Sequence, residues 1–204
     1  WPSKSINFHK VSQCISIILM LFLYFIVGLF TVINQQFQVP LKSALLPHDG
    51  NMTNALVTLL NFSWFLAYPF SEGFATRWVD RLGYRKTSVY SLLIFIAGLG
   101  FYEAAVLLHI YAPSYITIMG NPIFTGFFVF LSGSFVIGMA VTILQVVTGL
   151  YLDVNPVGKT TPLQRQMIGG TTNSIGMAIG PLVVTSYFTV FLSTMYNPVN
   201  LSGP

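Results

Sequence analysis

Residues 17–30 read Ile-Ile-Leu-Met-Leu-Phe-Leu-Tyr-Phe-Ile-Val-Gly-Leu-Phe, and no charged residue interrupts the wider run from Val11 to Gln36. The apolar side chains do not alternate with polar ones. A hydrocarbon core about 30 Å thick takes about 20 helical residues to cross, and backbone polar groups in lipid must be bonded within the segment. The stretch therefore reads as a membrane helix, since a barrel strand would be short and alternating.

Working outward, four further apolar runs follow, at about Met52–Glu72, Thr87–Tyr111, Pro122–Tyr151 and Met167–Leu192. The fold class expected is all-α: a polytopic membrane protein whose residues 1–204 form one partial transmembrane bundle of five helices. Composition agrees, with 54 % hydrophobic and 7 % charged residues among 204 and a mean hydropathy of +0.72. A soluble domain carries roughly 25 % charged residues, so that class is excluded. The chain begins at Trp1 without a short apolar leader and cleavage site, and reads as a piece of a longer protein.

The net charge of +4 forms no continuous basic face, so nucleic acid is not an expected partner. Instead the bases report orientation. With the N-terminus cytoplasmic, Lys4, Lys10, Arg77, Arg81, Arg85, Lys86, Lys159 and Arg165 fall on the inner side and only Lys42 on the outer. The outer connections, around Leu45–Asn51, His109–Asn121 and Ser193–Pro204, are rich in Pro, Gly and Asn. Glycines recur at positions 126, 133 and 138 and again at 169, 170, 176 and 180, as close helix packing in lipid requires. Pro181 is expected to kink the last segment. The single cysteine, Cys14, lies in an apolar run and offers no disulfide or metal framework. No His-Glu-x-x-His run, Gly-x-Ser-x-Gly elbow or paired His ligands are present, so no catalytic residue, metal or cofactor is expected and the chain is not read as an enzyme.

The densest charged run is Gly73-Phe-Ala-Thr-Arg-Trp-Val-Asp80-Arg81-Leu-Gly83-Tyr-Arg85-Lys86. Its ending, Asp80 to Lys86, resembles the signature of the major facilitator superfamily between its second and third helices: acidic, basic, any, Gly, any, basic, basic. Gly83 permits a tight turn, and Asp80, Arg81, Arg85 and Lys86 can latch two bundles through charge-assisted hydrogen bonds. Where the family pattern has a further Gly, this chain has Thr76. Leu144-Gln145-Val-Val-Thr-Gly-Leu-Tyr151, then Gln164-Arg165, Asn173-Ser-Ile-Gly176 and Gly180-Pro181, resemble the fourth and fifth helices of the fucose-galactose-glucose permease branch. Gln36-Phe-Gln-Val-Pro40-Leu-Lys is similar to that branch's first helix.

The resemblance implies a secondary transporter of hexoses, with glucose, galactose or fucose as the solute, working by alternating access in a bacterial-type inner membrane, with the lipid bilayer and a C-terminal bundle as partners. The other readings are an accessory or structural five-helix membrane subunit and a major facilitator transporter of a different small solute. It also implies that Gln36, Gln145 and Asn173 bind substrate, since an amide supplies both donors and acceptors to a sugar hydroxyl. Gln at 36 replaces the branch's acid and Gly149-Leu150 replaces its Asn-Pro, so proton coupling through the family carboxylates does not carry over. Gln145 and Asn173 lie at similar depth and could line one cavity, and both are expected to have partners even without sugar.

Two further groups come from the residues alone. Trp64 and Tyr68 share a helix face by their i, i+4 spacing and could form an aromatic platform for a sugar ring. Glu103 is the one acid well inside a predicted span, a functional hypothesis by default and the candidate for coupling transport to a proton. The alternative reading has it at the outer interface, paired with His109. Asn34, Gln35, Gln36 and Gln38 end the first apolar run and are expected near the outer interface, while Trp1 and Trp78 are expected as interface anchors.

Overall fold

The computed structural model describes residues 3–36, 51–118, 121–156 and 158–196. The elements are α1 (Ser3–Gln36), α2 (Asn51–Tyr111), β1 (Tyr115–Ile118), β2 (Asn121–Phe124), α3 (Thr125–Val154) and α4 (Pro162–Tyr196). All four helices are long and apolar enough to cross a membrane.

The expected segments Met52–Glu72 and Thr87–Tyr111 belong to one 61-residue helix with a single interruption, at Gly83 (φ 78°, ψ 166°). Straight, α2 would extend about 90 Å. It does not run straight, because the rings of Trp78 and Tyr90 lie 6.2 Å apart where an unbroken helix would hold those residues about 18 Å apart. Leu60 likewise shares a buried cluster with Ala105, and Leu108 packs on the cluster of Leu56. The two arms of α2 therefore lie antiparallel about Gly83. Positive φ is open to glycine at little cost, so one residue makes the reversal and its neighbours stay helical. The loop expected over 73–86 is corrected accordingly: all of it except Gly83 is helical.

Other boundaries shift for local reasons. Helix α4 begins at Pro162, ahead of the expected Met167, because Thr161 and Gln164 form a reciprocal capping box: the Thr161 N–H donates to Gln164 Oε1 (2.9 Å) and the Gln164 N–H to Thr161 Oγ1 (3.3 Å). Pro162 occupies the first helical position, where its missing N–H is harmless. Helix α3 starts later than expected, at Thr125, because residues 122–124 are taken into an antiparallel hairpin that pairs Tyr115 with Phe124 and Thr117 with Pro122. This hairpin is an addition to the all-α expectation. It buries Ile123 and Phe124 against Leu56 and Phe127. Helix α1 begins at Ser3 and not at Val11.

Helix α3 is the central element, its apolar stretch being more deeply buried in the bundle than that of any other described helix. Both arms of α2 pack on it. Gly138 sits where an added Cβ would come 2.6 Å from the Trp64 carbonyl oxygen, Gly98 faces Ile137, and the Ser63 hydroxyl donates to the Leu131 carbonyl at 3.0 Å. The second dense contact joins α1 to α4, where Gly28 lies against the Asn173 backbone and Gly176 against the Phe25 backbone. A methyl at either position would separate the helices; Gly176 thus has the packing role expected of it, whereas Gly170 of the same expected set is exposed, with nothing within 4 Å of an added Cβ.

The Gly83 turn and the C-terminal end of α3 share one end of the bundle, as the edge-on contact of Tyr84 and Tyr151 at 5.3 Å records. At the other end His109 lies edge-on to Phe124 at 5.0 Å. Arg77, Arg81, Arg85, Lys86 and Arg165 therefore gather at one end. Gln38, Lys42, Trp1 and the Leu45–Asn51 connection up to residue 50 lie outside the described residues.

Candidate functional site

A cavity of about 520 Å³ opens between α1 and the second arm of α2, with Trp64 from the first arm and Phe130 and Ile137 from α3 closing its back. Its size falls within the range of about 300–1,000 Å³ usual for small-molecule sites. The cavity exists because α1 and α2 stand apart along their backbones and are bridged by side chains. One bridge is the ring contact of Phe30 and Phe95, 4.7 Å between centroids. The other is polar. The Tyr102 hydroxyl donates to Asn34 Oδ1 at 3.1 Å and shares a 2.8 Å hydrogen bond with Ser134 Oγ, so α1, α2 and α3 meet at one phenol. The Tyr102 ring stacks face to face on Phe130 at 3.9 Å.

Trp64 and Glu103, singled out from sequence, both line this cavity. Trp64 is 2 % exposed, and its Nε1 is buried without a hydrogen-bond partner. The Tyr68 hydroxyl, one turn on, lies beside it and beside Thr31, short of hydrogen-bond geometry to the indole. Tyr68 itself is half-buried against the cluster of Val27, Trp64 and Leu144 and does not line the cavity. Glu103 is exposed, and among the described residues its carboxylate makes no hydrogen bond or ion pair; His109 faces Phe124 instead. Asn34 is corrected: it is 8 % exposed and tied to Tyr102, not solvated at an interface.

The three candidate amides sit elsewhere. Gln36 is exposed at the end of α1, and Gln145 is half-buried on α3, where its main-chain carbonyl accepts from Thr148 Oγ1 at 2.9 Å. Asn173 lies at the α1–α4 crossing against Gly28, with Oδ1 buried and unpartnered and Nδ2 4.0 Å from Met177 Sδ. The expectation that Gln145 and Asn173 are satisfied within the protein is therefore corrected: among the described residues the Gln145 side-chain amide makes no hydrogen bond, and Asn173 Oδ1 has no partner. Gly28, which it lies against, carries no side chain with which to meet it.

At the bend, Asp80, Arg81, Arg85 and Lys86 are all exposed, and among the described residues no ion pair joins them. Trp78, expected as an interface anchor, is half-buried edge-on to Tyr90. Arg165 is buried and holds the α3–α4 connection. Its guanidinium donates from Nε to the Leu152 carbonyl (2.6 Å), from Nη2 to Asp153 (2.8 Å) and from Nη1 to Thr160 (2.7 Å). Two of those carbonyls are orphans of the α3 C-terminus, where a cation is also favoured by the helix dipole. Gln166 Nε2 adds a 2.8 Å bond to the Gly149 carbonyl, fixing α4 on α3.

Sequence reading missed Tyr102 and Ser134. Their signal is only a hydroxyl within an apolar run, and many such hydroxyls bond their own helix, as Ser71 does to the Ala67 carbonyl at 2.7 Å. Compared with models of protein families, with curated proteins and with solved structures, the chain matches none.

Proposed function

We propose that this chain is the N-terminal bundle of a secondary transporter of hexose sugars, of the major facilitator type, crossing the membrane five times with its N-terminus and Gly83 turn on the cytoplasmic side. The two arms of α2 count as two crossings. The observation that carries the reading is the reversal at Gly83, within the run Asp80 to Lys86. It sets an acid and three bases on the exposed end of a helical hairpin, where a second bundle can engage them. Gathering of the described bases at that end supports the orientation.

Hexose recognition falls to Gln36, Gln145 and Asn173, with Trp64 and Tyr68 as the aromatic surface. A buried amide oxygen with no protein partner is an acceptor waiting for a hydroxyl, and Asn173 Oδ1 is one. With Gln at 36 and 145, neither position titrates, which favours a facilitator or coupling through groups in another part of the transporter. Counterflow of labelled glucose, galactose and fucose in vesicles reconstituted with the full-length protein tests the reading. Exchange of at least one of the three, competed by its unlabelled form, is expected. Its absence for all three in folded protein leaves a transporter of another solute or a membrane subunit without transport.

A further inference from the structure

The cavity between α1 and α2 has a chemistry of its own and shares only Trp64 with the hexose reading. Its wall is overwhelmingly carbon. Five rings contribute, from Phe30, Trp64, Phe95, Tyr102 and Phe130, arranged in part as the Phe30–Phe95 and Tyr102–Phe130 pairs. Among the described residues Glu103 is its one acid, and no described Lys, Arg or His lines it. The Tyr102 hydroxyl is already committed to Asn34 and Ser134. Among the described residues one polar group of the lining remains with open capacity, the Glu103 carboxylate; the Trp64 Nε1–H is buried beside the Tyr68 hydroxyl, which is not part of the lining.

Those facts discriminate among ligands. An anion would face an unopposed carboxylate. A polyol would need a partner for each hydroxyl, and the wall offers few, so desolvation would oppose binding. A purely apolar molecule would fill the space but leave the carboxylate unmatched. A cation with an apolar body meets both terms: its charge pairs with Glu103, and aromatic faces attract it further once water is excluded. We propose that this cavity is a binding site for an organic ammonium ion with an apolar, aromatic-compatible body.

The test uses full-length protein and titration calorimetry with benzyl(2-hydroxyethyl)dimethylammonium. The control ligand is the same molecule with carbon in place of the nitrogen. The ammonium is expected to bind about tenfold or more tightly than its uncharged counterpart, the size of a desolvated cation–π and ion-pair preference. Glu103→Gln keeps volume and polarity at an exposed position and is expected to bring the two affinities together while leaving the uncharged ligand's affinity unchanged. Trp64 fluorescence should respond to the ammonium, with the response lost in Trp64→Phe. Equal binding of the two ligands by the parent, no binding of the ammonium, or a preference that survives Glu103→Gln overturns the proposal. Hexose counterflow in the same preparation fails or succeeds separately, so the two readings are told apart.

Discussion

The Tyr102 hydroxyl donates to Asn34 Oδ1 across 68 positions of sequence, and this bond with its Ser134 branch is the polar tie between α1 and the rest of the bundle beside the cavity. An interhelical hydrogen bond in a membrane protein is worth about 0.5–2 kcal/mol, because the separated helices also find partners. Tyr102→Phe keeps the ring on Phe130 and removes the bond. Its thermal midpoint in detergent should fall by that amount, and Ser134→Ala should add little in the Tyr102→Phe background. Full additivity of the two changes would show that the hydroxyls act separately.

Gly83 tests the reversal of α2. Its φ of 78° and ψ of 166° lie in a region essentially confined to glycine, while a Cβ built there meets nothing within 4 Å. The penalty for substitution is therefore backbone strain, of order 1–3 kcal/mol, and not a clash. Gly83→Ala and Gly83→Asn should lose folded yield to a similar extent, since the side-chain hydrogen bonding that lets Asn tolerate the left-handed helical region does not help at this ψ. A clear rescue by Asn over Ala, scored by gel-filtration yield, would place the bend in a different conformation.

Much of the helical content was legible because membrane spans are long and written in composition. The ends at Gln36 and Tyr111 fall where the apolar runs stop. The stretch 73–86 was misjudged because its charges look like a loop, yet Arg, Asp and Lys are tolerated on an exposed helix end and Gly83 alone suffices to turn the chain. The early start of α4 was readable in Thr161, Pro162 and Gln164. The hairpin was not, since pairing Thr117 with Pro122 depends on contacts that no helical period reports. At the site, Trp64 and Glu103 stood out by rarity, whereas Tyr102 is one of ten tyrosines and becomes special only through Asn34 and Ser134.

Arg165 predicts a difference between two cations. Its planar guanidinium reaches carbonyls of Leu152, Asp153 and Thr160 at once, a fork that a lysine ammonium cannot reproduce. Arg165→Lys should therefore lower the melting temperature nearly as far as Arg165→Ala, by an amount corresponding to about 1.5–3 kcal/mol. Proteolysis at residues 155–161 should accelerate in both. Retention of parental stability by the lysine variant would mean that charge at the end of α3, and not the three bonds, holds the connection.

Asn173 separates binding from stability. Its Oδ1 is buried without a partner, and its Nδ2 has only a thioether at 4.0 Å, so the amide contributes little to the fold and carries the desolvation cost of an unmet acceptor. Asn173→Ala should leave the melting temperature of the full-length transporter unchanged or raise it. If the oxygen is met by a sugar hydroxyl in the bound state, the same substitution should weaken hexose binding by about 1–3 kcal/mol. Gly28→Ala is the contrasting variant: its methyl would meet the Asn173 backbone and force α1 from α4, so stability and binding should fall together. Loss of stability in Asn173→Ala with hexose affinity intact would make the amide a helix tie and remove it from the site.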